Sequence, residues 1–137
     1  MDLNDNLGFE VNDDVELTFP ADLSIQPGEY IVYVKDVTEE RWNGVSFQVF
    51  ELASGIPGNS GDTVKLVSTS CGSPEVNDIV EYDNYTPWPE DGIDVYDEKL
   101  HSIELIHPDL DNNDAANWAG STVEGVTPGT ENSVYTP

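Results

Sequence analysis

A single cysteine, Cys71, stands in the 137 residues, so no intrachain disulfide framework can support the fold, and cysteine usage gives no redox compartment. Its neighbours Ser70 and Gly72 point to a turn. Positive charge is nearly as scarce. Lys35, Arg41, Lys65 and Lys99 stand against 28 acidic residues, for a formal net charge of -24. Phosphate backbones and anionic lipid surfaces need Lys and Arg to displace their counterions, which excludes direct binding to nucleic acid or membrane. Long apolar runs are also missing. No stretch approaches the roughly 20 residues that span a bilayer, and residues 1–6 carry neither positive charge nor an apolar run. If the parent protein is exported, its signal is expected outside this chain.

What is present suits one globular domain over residues 1–137, long enough to bury about two thirds of its unfolded surface. Hydrophobic residues make up 37%, with 11 Gly and 9 Pro, so the apolar depletion of disordered chains is absent and turns are abundant. The acidity fits three readings: adaptation to high salt, a secreted surface that gathers divalent cations, or solubility alone. Basic proteins and cations remain as partners.

The apolar pattern has period two in short segments bounded by Gly, Pro, Asn or Asp, the signature of half-buried strands. Strands are expected at 15–19, 29–35, 45–50, 63–67, 77–82 and 100–106. In the second, Tyr30, Val32 and Val34 share one face and Ile31 and Tyr33 the other, as in a strand buried on both sides. Pro27-Gly28 presets a tight turn, and Gly58-Asn59-Ser60-Gly61-Asp62 supplies residues that tolerate positive φ. Thr38-Glu39-Glu40-Arg41 could cap one helical turn, while Asn43-Gly44 equally suggests a hairpin tip; both readings stay open. No long helix, repeat or linker is visible. Strands at this spacing without intervening helices predict an all-β chain, an antiparallel sandwich.

Four stretches together resemble the lamin tail domain, an immunoglobulin-like β-sandwich module. Phe19-Pro20, followed by Pro27-Gly28-Glu29-Tyr30, is similar to the family's aromatic-proline turn and strand entry, and Asn59-Ser60-Gly61-Asp62 to its turn into a strand. Pro87-Trp88-Pro89, Asp91-Gly92 and Ser102-Ile103-Glu104-Leu105 form the third stretch. The fourth runs Pro108-Asp109-Leu110-Asp111-Asn112, Asn117-Trp118, Thr127-Pro128-Gly129 and Asn132-Ser133. Residues 93–99 look like an insertion. The family's two opening strands are not matched, so either the chain is a fragment or residues 3–10, where Leu3, Leu7 and Phe9 fall two or four apart, bend back to fill the gap. Otherwise an exposed sheet edge would take a strand from a protein partner or a second copy, with the chain monomeric at low salt and partly dimeric at high salt. The resemblance implies a non-catalytic binding or structural module of an extracellular or cell-envelope protein; the cytoplasm of a salt-adapted cell is the other compartment considered.

The residues themselves offer little catalytic patterning. Gly58-Asn59-Ser60-Gly61-Asp62 misses the nucleophile elbow at its last position, and His101 and His107 lack the spaced His or Cys partners of a zinc site. A hydrolase is therefore the third reading, after a calcium-stabilised domain. Asp109, Asp111, Asn113 and Asp114 alternate hard oxygen donors of the kind calcium takes, the one cofactor considered. The segment departs from the EF-hand loop, with Asp114 where Gly is needed and Gly120 where Glu is needed. The alternative is that these side chains satisfy the backbone of their own turn. Trp88 and Trp118, beside proline and asparagine in loops, could stack on a sugar or a partner protein, or plug the core. Asn84-Tyr85-Thr86 is a glycosylation sequon that matters only in a secretory pathway.

Overall fold

The computed structural model describes residues 7–11, 14–20, 23–53, 57–58, 60–68, 75–89, 102–122 and 127–137. Among them the chain is all-β: eight strands and two single-turn 3₁₀ segments. The strands are β1 Leu7–Val11, β2 Asp14–Thr18, β3 Ile31–Val34, β4 Gln48–Glu51, β5 Asp62–Ser68, β6 Glu75–Tyr82, β7 Ile103–Leu105 and β8 Trp118–Gly120. Chain contacts divide it into two compact units, 1–57 with 63–79 and 58–62 with 80–137.

β1, in the first unit, lies inside a four-stranded sheet of order β2-β1-β5-β6, antiparallel to both β2 and β5. Residues 7–11 thus form an inner strand, Leu7 to Val11 facing Ser68 to Val64 of β5, while residues 3–6 of the segment expected to bend back lie outside the described residues. Opposite β2 the register slips between Phe9 and Glu10, which face Leu17 and Val15, so Glu16 is the extra residue of a bulge.

The expectation of an antiparallel arrangement throughout fails at β3 and β4, which pair in parallel from Ile31↔Gln48 to Val34↔Glu51. Parallel neighbours need a crossover of about a dozen residues, and residues 35–47 supply it. Asn43-Gly44 is accordingly no hairpin tip. Gly44 takes φ +75° just after the 3₁₀ turn Glu40–Trp42, and that turn is entered without a side-chain cap. Thr38 instead gives both its N–H and its hydroxyl to the Asp36 carboxylate, at 2.8 and 2.6 Å. These bonds hold that exposed carboxyl below its ordinary range.

The core of this unit forms around Phe19 and Leu23, against which Ile25, Ile31, Tyr33, Phe50 and Leu66 pack. Phe19 meets Tyr33 and Phe50 edge to face, with centroids 5.9 and 6.0 Å apart, the geometry that the ring quadrupoles favour. β3 thus turns Ile31 and Tyr33 to the core, while Tyr30 lies before the strand and is exposed. Desolvation pushes the Tyr33 phenol pKa up. The Pro27-Gly28 turn forms as expected: Glu29 N–H donates to Gln26 O at 3.0 Å across Gly28 at φ +85°.

In the second unit, β7 and β8 pair antiparallel, Ile103↔Gly120 to Leu105↔Trp118. Its aromatic centre is Trp88, buried between Tyr82 (centroids 6.3 Å, 77°) and Trp118 (5.9 Å, 52°). Tyr82 also donates its hydroxyl to Gly58 O at 2.6 Å. Burial, then the nearby Asp62 charge, push its pKa up to about 12, so it stays a donor throughout the physiological range.

Candidate functional site

The acidic loop that the sequence singles out runs from β7 to β8 through the 3₁₀ turn Ala115–Asn117. Its backbone is closed by Leu110 N–H to His107 O, Asp114 N–H to Asp111 O and Asn117 N–H to Asp114 O, at 3.1, 3.2 and 3.0 Å. The side-chain oxygens serve backbone amides. Asp111 Oδ1 accepts from Asn113 N–H at 3.0 Å, and Asp114 Oδ1 caps the 3₁₀ turn by accepting from Ala116 N–H at 3.0 Å. Asn113 Oδ1 reaches out of the loop to accept from Glu81 N–H on β6 at 2.8 Å. Asp109 projects into solvent, its carboxylate 3.9 Å from His107 Nδ1, which accepts the Asp109 N–H. The four oxygen-bearing residues are therefore neighbours in sequence whose oxygens point to different tasks. Among the described residues no group of three or more His, Cys, Asp or Glu could hold a metal ion.

The same loop orients the aromatic pair. Trp118 Nε1–H donates to Asn112 O, and Asn117 Nδ2 to Asp111 O, both at 2.8 Å. Trp88 is only 8% exposed. The enclosed ring meets Tyr82 in a T-shaped contact and Trp118 at a tilt, which favours the packing reading over ligand stacking at Trp88.

The group that sequence reasoning passed over is Glu104. It sits mid-strand in β7, 4% exposed, the most enclosed carboxylate among the described residues. Its Oε2 accepts from the Ser133 amide and the Ser133 hydroxyl, both at 2.7 Å, and its Oε1 from the Thr127 hydroxyl. Burial raises its pKa, but the bonds from Thr127, Ser133 and the Val134 amide outweigh burial and hold it below the ordinary carboxylate value. Around this centre Ser133 Oγ lies 3.1 Å from the buried Ser121 Oγ and accepts from Thr122 N–H at 2.8 Å. Asn132 Nδ2 donates to Leu105 O at 2.9 Å, and Thr136 N–H to Ile106 O at 3.2 Å. The C-terminal segment is thereby clasped onto β7 through one ionised carboxylate.

Of the other candidates, Ser60 is an exposed turn residue, and His107 stacks on Tyr135 with centroids 5.2 Å apart. Asn59, Cys71, His101 and residues 91–99 lie outside the described residues. No family model, curated protein or solved structure matches the chain.

Proposed function

We propose that the chain is an immunoglobulin-like β-sandwich module resembling the lamin tail domain, and that it serves as a non-catalytic binding or structural part of an extracellular or cell-envelope protein. The observation that carries this reading is the Glu104 clasp. It uses a buried carboxylate to fasten one chain segment to another, with both oxygens committed to hydroxyl and amide donors. The two stretches it joins, Ser102-Ile103-Glu104-Leu105 and Thr127 to Ser133, are among those that carry the family resemblance. The charge of -24 directs the module to a protein partner of basic surface. Strand β2, terminal in its sheet among the described residues, is the edge along which such a partner would add a strand.

Calcium stabilisation is the competing reading, motivated by Asp109, Asp111, Asn113 and Asp114. Thermal unfolding in millimolar calcium and in EDTA separates the two, because a ligand bound only by the folded state raises its stability by mass action. Equal melting temperatures are expected for the module proposed here. A melting temperature several degrees higher in calcium would transfer the assignment to a cation-dependent domain.

A further inference from the structure

Among the described residues β6 is the other terminal strand of its sheet, and a terminal strand offers a row of backbone groups to any passing chain. Backbone groups of alternate residues point to the same side of a strand, so residues 75, 77, 79 and 81 share one side. Three groups of this set are taken by side chains. Glu75 C=O accepts from Asn77 Nδ2 at 3.3 Å, Ile79 N–H donates to Asp78 Oδ1 at 2.9 Å, and Glu81 N–H donates to Asn113 Oδ1 at 2.8 Å. Groups satisfied this way are not spent on the ladder with β5, which identifies this side as the outward edge. Two of the caps are local to β6; the third comes from a residue 32 positions away.

We propose that β6 is closed by its own polar side chains, with Asn113 as the decisive cap, and that this closure keeps a second copy of the chain from pairing there. The local caps, from Asn77 and Asp78, are exposed side chains bonded to their own strand. Asn113 differs because it reaches β6 from a separate loop whose backbone is fixed by the Asp111 and Asp114 bonds, so its amide oxygen is presented to Glu81 by another part of the chain. A pairing strand would have to displace it. Asn113 is thus a structural acceptor rather than a cation ligand. The proposal is independent of the module's partner, which it directs away from β6.

Asn113→Ala tests it, with Asn113→Asp as the variant that keeps an acceptor oxygen. The readouts are amide exchange at Glu81 and Ala116 and light scattering over a concentration series in molar sodium chloride, where charge repulsion is screened. In Asn113→Ala, Glu81 should exchange about tenfold faster, as loss of one hydrogen bond to a protected amide allows. The scattering mass should rise with concentration, and Ala116 should keep its protection. Asn113→Asp should restore both Glu81 protection and the monomer. Unchanged Glu81 exchange in Asn113→Ala would overturn the proposal. So would a deprotected Glu81 in a chain that stays monomeric, or a failure of Asn113→Asp to rescue.

Discussion

Glu104 shows how one residue's surroundings set the pH response of the fold. Its folded pKa lies below the value of about 4.3 for a free glutamate, so its contribution is complete above that value and is lost as pH falls through the lower folded one. Glu104→Gln keeps the shape but replaces a charged acceptor of the Ser133 and Thr127 donors with a neutral one and brings an amide N–H₂ toward them. At neutral pH it should destabilise the protein by about 1–3 kcal/mol, and the deficit should shrink in acid as the wild-type carboxylate protonates. Chemical denaturation of both proteins at several pH values checks this; a deficit that does not vary with pH would remove the charge from the explanation. The residue was not legible in sequence because a glutamate between Ile103 and Leu105 reads as the solvent-facing member of an alternating strand. Its donors stand 23 and 29 positions later, beyond any local pattern. Asp111 and Asp114 were easier to place, since side chains of this kind bond amides two or three residues away, whereas Asn113 bonds Glu81, 32 positions distant.

At the scale of elements, each of the six strands expected from period-two patterning has a counterpart, with ends moved by a few residues. Turn chemistry carried the same information, because Gly28 and Gly61 both adopt positive φ. The two differ in what surrounds them. A Cβ on Gly28 meets nothing within 4 Å, whereas one on Gly61 would lie 2.9 Å from Tyr82 O and 3.1 Å from Asp83 Cα, both backbone atoms. Gly28→Ala should therefore cost about 1–2 kcal/mol for the left-handed conformation alone. Gly61→Ala should cost about 3 kcal/mol or more, with overpacking added. Equal losses in thermal melts would contradict the close approach at Gly61. What the pattern did not yield was strand direction and β8. The parallel course of β3 and β4 depends on where the 35–47 crossover leads, and Trp118–Gly120 is too short to display a period.

At the scale of the whole molecule, 28 acidic side chains against four basic ones store repulsion that only the solvent's ions relieve. The screening length is about 10 Å at 0.1 M salt and about 3 Å at 1 M, so the melting temperature should rise steeply from very dilute to molar sodium chloride. A melting temperature that ignores salt would mean the charges are too dispersed to matter. Against this repulsion the fold is held by the Phe19 core in one unit and by the Trp88 cluster and the Glu104 clasp in the other. Amide exchange at Ser133 in the wild-type protein at neutral pH reports on the clasp itself. We expect Ser133 to be protected alongside the β5 amides. A Ser133 amide that exchanges at the rate of an unstructured peptide while β5 stays protected would show that Glu104 does not hold the C-terminal segment.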